Sequence, residues 1–381
     1  MSLCPIAKKC SGCQLQNLTY EEQLRMKQVK LIHLLSRYGH VEEIVGMDDP
    51  THYRNKMQAL FGFKNGRVVS GIYQSATGKL VETDSCLLED VASARIVKTV
   101  RELCASFKIK AFDLRTGRGF LRHALVRRGF RSGQIMVVLV TAPGEFPSCS
   151  AFVKELTRRH PEITTLVWNV NPTDTPLFLG RESRVLYGEG SIEEELLGLR
   201  FRISPRSFYQ VNPTQTEILY RTAREYASLT GKERVIDAYC GTGTIGLTVA
   251  ADAAELIGVE VNADAVEDAK ANAKRNGIKN ARFYAADAGD FMEQMAKEGQ
   301  RADVVITDPP RAGCSPRFLR SLVKLSPKKI VYISCDPETL ARDLNTLTRA
   351  GYKATKIQPV DMFPHTNHVE TVVCLMRTFN S

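Results

Sequence analysis

A chain of 381 residues with 43% hydrophobic and 25% charged content is that of an ordinary globular protein, and it is long enough for two domains. No apolar run approaches the roughly 20 residues that span a bilayer, and Lys8 and Lys9 lead into a polar stretch, so neither a membrane helix nor a secretion signal is read. Ten cysteines without such a signal point to a reducing, cytoplasmic setting, where cysteines serve as ligands, nucleophiles or core. The net charge of +10 is uneven: residues 1–205 carry 29 Lys+Arg against 21 Asp+Glu, and residues 206–381 carry 23 against 21. That asymmetry suggests a polyanion-binding half placed before a catalytic half.

In chain order, residues 18–38 read as an amphipathic helix with Leu24, Val29, Leu31, Ile32 and Leu35 among its apolar positions. Strand signals follow at 59–63, 68–73 and 135–141, then a helix near 148–160 and a strand at 164–169. This texture is α+β, and it gives a first domain over residues 1–205. From Glu233 the pattern changes. Strands at 234–238, 255–261, 281–285, 303–307 and 329–333 alternate with helices such as 241–251 and 263–276, and two paired strands, 352–359 and 369–377, close the chain. Short, nearly continuous apolar strands between helices predict an α/β, doubly wound, Rossmann-like domain over residues 206–381, with its ligand at the carboxyl ends of the strands.

The ends of those predicted strands carry the chemistry. The first runs through Asp237 into Tyr239-Cys240-Gly241-Thr242-Gly243, a turn in which Gly241 and Gly243 let backbone N–H groups approach a ligand. The second ends at Glu260, 23 residues after Asp237, where a carboxylate can accept from both hydroxyls of a ribose. Asp287 follows the third strand, and Asp308-Pro309-Pro310-Arg311 follows the fourth. Acidic and glycine positions at successive strand ends are read as an S-adenosylmethionine site, with a nicotinamide site as the alternative. Past the fifth strand stands Cys335, in Ser334-Cys335-Asp336-Pro337. A thiol facing an adenosyl cofactor suggests methylation of a carbon through a covalent adduct. Carbon 5 of uracil is a poor nucleophile until a thiolate adds at carbon 6, and a base must afterwards remove the carbon 5 proton. Glu370, in His368-Val369-Glu370, is the candidate base. His365 and His368 are too few to read as a metal site.

Residues 206–381 resemble the S-adenosylmethionine-dependent RNA uracil-5-methyltransferases through five ordered motifs: Ser207-Phe208-Tyr209-Gln210-Val211-Asn212, the 237–246 loop, Asp308-Pro309-Pro310-Arg311, Ser334-Cys335-Asp336-Pro337 and His368-Val369-Glu370. The resemblance implies that Gln210, Tyr239, Glu260 and Asp308 contact the cofactor, that Cys335 is the nucleophile and that Glu370 is the base. Gly241 and Asp287 are added from their positions at the strand ends. Many members carry a small N-terminal RNA-binding β-barrel, whereas this sequence opens on cysteines. Cys4, Cys10 and Cys13 have C-x5-C-x2-C spacing, with Cys86 farther on, and four thiolates fit either zinc or a [4Fe–4S] cluster. The resemblance implies the [4Fe–4S] cluster, held by an RNA-binding first domain.

Between residues 114 and 131, Arg115, Arg118, Arg122, Arg127, Arg128 and Arg131 interleave with Phe120 and Phe130 and no acidic residue. That arm reads as an RNA surface, and His52-Tyr53-Arg54-Asn55-Lys56 as a second polar-basic cluster. The expected protein is a cytoplasmic, monomeric 23S ribosomal RNA (uracil-C5)-methyltransferase acting on a single-stranded loop or bulge, since the target base must leave its stack. Transfer RNA is the alternative substrate, and a non-catalytic RNA-binding iron–sulfur protein the alternative of a different class. The presence of both Cys335 and Glu370 argues against the latter. A loop reading Asp-Pro-Pro-Arg, without an aromatic to stack on an amino-bearing base, disfavours an amino-group methylase.

Overall fold

The computed structural model describes residues 4–7, 9–74, 79–113, 116–172 and 178–378. Thr19 starts α1 (Tyr20–Leu35) with a capping box: its hydroxyl accepts the Glu22 N–H while Glu22 accepts the Thr19 N–H. β1 (Lys56–Lys64), β2 (Arg67–Tyr73) and β3 (Leu80–Glu82) form a meander, and α2 (Val91–Ser106) follows, capped by Asp90. β4 (Leu121–Arg128), β5 (Ile135–Thr141), α3 (Cys149–Arg159), β6 (Ile163–Val170) and β7 (Glu182–Tyr187) complete a sheet ordered β3-β2-β1-β4-β5-β6-β7. Its pairings are antiparallel except β5–β6, which the α3 crossover makes parallel. β8 (Ile192–Leu196) and β9 (Leu199–Ile203) form a separate hairpin.

The second half runs α4 (Pro213–Ala227), β10 (Arg234–Ala238), α5 (Thr244–Val249), β11 (Glu255–Glu260), α6 (Ala263–Arg275), β12 (Ala281–Ala285) and α7 (Ala288–Lys297). It continues with β13 (Val304–Thr307), α8 (Pro316–Leu325), β14 (Lys329–Ser334), α9 (Pro337–Arg349), β15 (Tyr352–Val360) and β16 (Glu370–Arg377). The sheet order is β12-β11-β10-β13-β14-β16-β15. β10 to β14 pair in parallel, and β16 inserts antiparallel between β14 and β15. Central strands such as β13 are buried at every position, because helices cover both faces. Three helices start on a capping residue followed by proline, Asn212-Pro213, Ser315-Pro316 and Asp336-Pro337, which satisfies free N–H groups and presets the first turn. Strand order reverses between β10 and β13, the switch point at which sheets of this kind bind their ligands.

The buried face of α1 differs from the one its apolar residues predict. Gln23, Lys27, Leu31 and Leu35 face inward, while Val29 is 62% and Ile32 44% exposed. Leu31 and Leu35 pack with Val41, Ile44, Ile330, Tyr332 and Leu340, in the core of the second sheet. Burying each leucine contributes about 1.5–3 kcal/mol. Bridges Val41↔Ile357 and Val45↔Val360 continue the attachment. A cut at residue 205 therefore leaves α1 in the first piece although its core lies in the second.

Candidate active site

Register aligns the strand ends. Ala238 pairs with Val259 and with Thr307, Glu260 with Ala285, and Thr307 with Tyr332. Tyr239, Glu260 and Asp308 therefore stand side by side at the carboxyl edge. Across the antiparallel pair, Ser334 meets Thr371, the last registered pair of β14 and β16. The next residues along are Cys335 and Glu370, separated by 35 positions in sequence and brought to adjoining places by the β15–β16 hairpin.

The loop after β10 is shaped to receive a ligand. Tyr239 holds φ +65°, with Gly241 at +53° and Gly243 at +80°. A non-glycine residue in that region is uncommon, and such strain concentrates at binding sites. The Tyr239 ring rests on Phe318, 5.1 Å between centroids, so its position is fixed by packing. Gly246 lies against Asp237, where a Cβ would fall 2.7 Å from Oδ2, and the Gly246 N–H donates to that oxygen at 2.8 Å. Glu260 accepts from the Gly241 N–H at 3.2 Å and the Asn262 N–H at 2.9 Å, which holds its carboxylate beside the turn. Asp287 caps α7 through the Asp290 N–H.

Burial sets the protonation of these groups. Asp237 is 0% exposed and is pushed up to about 7, with Asp308 and Glu260 adding to the effect. Burial raises Asp308, and burial together with Asp308 raises Glu370, while Arg311 opposes the latter shift. The Cys335 thiol is pushed up to about 12 by burial, then by Glu370 and Asp308, against Arg311. Glu370 Oε2, Asp237 Oδ1 and Thr307 Oγ1 are buried without a hydrogen-bond partner. Perturbed acids with unused acceptors concentrate at functional sites. Arg311 donates toward His368 Nε2 at 3.2 Å.

Two loops flank the site, and the N-terminal half braces both. Asn55 Nδ2 donates to Gln210 O at 3.0 Å, and its N–H donates to Val211 O at 2.9 Å. The Tyr53 hydroxyl donates to Pro364 O. Gln23 accepts the His365 N–H at 2.9 Å, and Lys27 Nζ meets Asp361 Oδ1 at 2.5 Å. Sequence reading placed Gln210 at the cofactor and Asn55 in a polar-basic RNA cluster; it did not foresee that Asn55 braces the Gln210 loop. Tyr220 was also missed: it is buried, its hydroxyl lies 3.2 Å from Thr244 Oγ1, and Asp308, Asp237 and Glu370 all act on it.

Comparison with known proteins supplies the class of reaction. The family described as tRNA (uracil-5-)-methyltransferase matches residues 189–378. An uncharacterized RNA methyltransferase of Clostridium tetani is 43% identical over 376 residues, 98% of this chain and 82% of that protein. One of Halalkalibacterium halodurans is 41% identical over 377 residues, again 98% and 82%. Among solved structures, the Pyrococcus abyssi tRNA (uracil-54, C5)-methyltransferase in complex with S-adenosyl-L-homocysteine superposes with a TM-score of 0.81 at 30% identity, over 97% of this chain and 86% of that one. This chain belongs to the RNA uracil-5-methyltransferase family.

The methyltransferase corrects one surface expected from sequence. Of the arginines of 114–131, Arg122 and Arg127 are withdrawn from the expected arm, because β4 lies inside the first sheet, while Arg118 and Arg131 stay exposed. Arg127 is 4% exposed and donates to Ser207 O at 2.8 Å; burial lowers it to about 10. Arg122 is 5% exposed, donates to Asn171 O and lies over the Phe112 ring. Arg128 pairs with Asp90 at 2.7 Å and Arg131 with Glu217 at 3.0 Å. Arg118 is exposed, and Arg115 lies outside the described residues. The strand's apolar alternates decided its burial, and Arg122 and Arg127 found backbone carbonyls inside.

The methyltransferase also brings its distant cysteines together. Cys4, Cys10, Cys13 and Cys86 line one cavity of about 500 Å³, with Arg54, Tyr20 and His365 in its wall. Cys13 is pushed up to about 12 by burial and by Cys86, with Cys10 and Cys4 adding to the effect. The Gly12 N–H donates to Cys10 Sγ and the Leu88 N–H to Cys86 Sγ. Among the described residues no group of three or more His, Cys, Asp or Glu is arranged to hold a single metal ion. Cys104, Cys314 and Cys374 are buried core residues, and Cys149 is half-buried.

Proposed function

We propose that the protein methylates carbon 5 of a uridine in 23S ribosomal RNA, with Cys335 as nucleophile and Glu370 as base. The observation that carries the roles is the adjoining position of Cys335 and Glu370 past the Ser334↔Thr371 pair, with Asp308 at the next strand end. The residues suit S-adenosylmethionine: open space at Gly241, a carboxylate at Glu260 for ribose hydroxyls, and a buried acid, Asp308, toward a cation. When bound, that cofactor supplies the methyl group as an electrophile. We assign Gln210, Tyr239, Gly241, Glu260, Asp287 and Asp308 to holding it.

The Cys335 sulfur, once deprotonated, forms a bond to carbon 6, and the electron pair of the 5,6 double bond moves to make carbon 5 nucleophilic. After carbon 5 has been alkylated, Glu370 takes its remaining proton. The 5,6 double bond re-forms and the carbon–sulfur bond breaks, returning the electron pair to sulfur. A carboxyl raised by burial is a stronger base once ionised, which suits Glu370 to this step. Arg311, which stabilises the Cys335 anion, offsets part of the cost of ionising a buried thiol.

The four cysteines are proposed to hold a [4Fe–4S] cluster. Zinc would draw four sulfurs to within about 2.3 Å of one ion, whereas a cubane spreads its thiolates around a larger body. Four thiols around one cavity suit such a site, and the choice of the cluster over zinc rests on the resemblance of the cysteine pattern to the family's. Its role here is support, since uracil methylation is redox-neutral. Transfer RNA remains the second reading, favoured by the likeness to the Pyrococcus abyssi enzyme.

RNA carrying 5-fluorouridine tests the mechanism: fluorine cannot leave as a proton, so the adduct should persist on a denaturing gel. Cys335→Ala should form none, and Glu370→Gln should trap ordinary uridine RNA. Turnover by Cys335→Ala would sink the mechanism. Mapping 5-methyluridine in ribosomal and transfer RNA from a deletion strain decides the substrate.

A further inference from the structure

The segment entering β1 reads Tyr53-Arg54-Asn55-Lys56, and register sorts its side chains. Lys56 pairs with Arg127 and Gln58 with Leu125 across β1 and β4, so these four residues share one face of the first sheet. Leu125 lies in the core that also contains Met136, Tyr209 and Ile306. Met57, Ala59 and Phe61, on the alternate positions, lie instead in the core beneath α2. Lys56 therefore stands on the side that looks toward the second sheet. Arg127 confirms the direction, since it reaches Ser207 from that face.

Lys56 is close to the site as well as turned toward it. Asn55, its neighbour, is bonded to Gln210 and Val211, and Tyr53 is bonded to Pro364, so residues 53–56 are clamped between the two loops that flank Cys335 and Glu370. Arg311 donates toward His368, Arg54 acts on the same His368, and Lys56 lies two residues beyond Arg54.

The charges that act on Lys56 are of its own sign. Lys56 is half-buried, and the charged groups that face it are Arg127 of β4 and Arg54, both positive. No hydrogen bond or ion pair of Lys56 is found among the described residues. Arg54 Nε and Arg127 Nε are buried without a partner. Arg54, in the wall of the cysteine cavity, is answered by Tyr53, Cys86 and Glu89, which raise it against burial. Lys56 is lowered to about 8 by burial and by the two arginines. Cations half-withdrawn from water without anions are costly unless an anion arrives.

We propose that Lys56 seats a backbone phosphate of the substrate RNA beside the target uridine, so that the strand enters over the start of β1. A phosphate there neutralises Lys56 and fixes the register of the strand, leaving the base free to reach Cys335. The proposal rests on RNA as substrate and not on which RNA, because the phosphate is common to all.

The test is equilibrium binding of wild type, Lys56→Gln and Lys56→Arg to two transcripts, one of 23S ribosomal RNA and one of transfer RNA, across a salt series and from about pH 7 to about pH 9. Lys56→Gln should weaken both RNAs by about fivefold or more and reduce the log–log salt slope by about 0.7–1. Wild-type affinity should fall as pH rises through about 8, because Lys56 loses its charge there. Lys56→Arg should bind well and lose that pH dependence. Unchanged affinity and slope in Lys56→Gln overturns the proposal. So does a loss in Lys56→Gln that is independent of salt or shared equally by Lys56→Arg, since the lysine would then act through folding. The wild-type preference between the two transcripts tests the ribosomal reading separately.

Discussion

The bond between Lys27 and Asp361 ties α1 to the loop that leads into Glu370, and Asp361→Asn isolates its worth. The change keeps the side chain's shape and an oxygen for the Tyr20 hydroxyl, which donates to Asp361 at 2.9 Å. It removes the charge facing Lys27 Nζ at 2.5 Å, where the two side chains are 2% and 0% exposed. At that distance the attraction is ~6–7 kcal/mol for an effective dielectric constant of about 20. The variant escapes part of this loss if Lys27 gives up its proton. Doing so near pH 7 costs about 1.4 kcal/mol for each unit up to the ordinary lysine value of about 10.4, or ~4.6 kcal/mol in all. Uncoupled buried pairs cost about 3–5 kcal/mol, so a loss of ~4 kcal/mol near pH 7 is expected.

The sign of the pH dependence follows from Lys27. Burial already outweighs the pull of Asp361 and holds Lys27 below the ordinary lysine range; without Asp361 it falls further. The folded variant then binds fewer protons than the unfolded chain up to about pH 10, so its stability climbs with pH by as much as ~1.4 kcal/mol per unit. Urea denaturation of both proteins at about pH 7, 8 and 9 should show the difference shrinking from ~4 to about 1–2 kcal/mol. A difference below about 1 kcal/mol near pH 7, or one that does not shrink, refutes the reasoning.

Two further outcomes follow from the corrected surfaces and the cysteine cavity. Arg127→Ala should cost stability, by about 1.5–3 kcal/mol for the lost charged hydrogen bond to Ser207 alone, while the salt slope of RNA binding stays that of wild type; a shallower slope with unchanged melting would return Arg127 to the RNA surface. Anaerobically purified protein should contain about four irons per chain, and Cys13→Ser should lose them; stoichiometric zinc without iron would exclude the cluster.

The sequence by itself determined the second half. Continuous apolar runs at 234–238, 304–307 and 329–333, with Asn212-Pro213, Ser315-Pro316 and Asp336-Pro337 as helix starts, fix local structure through neighbours only a few residues away. Carboxylates at Glu260, Asp287 and Asp308 were legible because strand ends in such a sheet converge on one crevice. Tertiary structure alone decided where polar groups are satisfied. Lys27 turned inward on α1, while Val29 and Ile32 stayed exposed, because its partner Asp361 lies 334 residues away. Arg122 and Arg127 went into the sheet because backbone carbonyls of Asn171 and Ser207 were there to receive them. Asn55 reached Gln210, and β16 set Glu370 next to Cys335, through contacts that no periodicity records. Apolar burial depends on a residue's own side chain and its spacing, and so is written locally. A buried charge or amide is stable only beside a particular partner, and the folded chain supplies that partner from a distance.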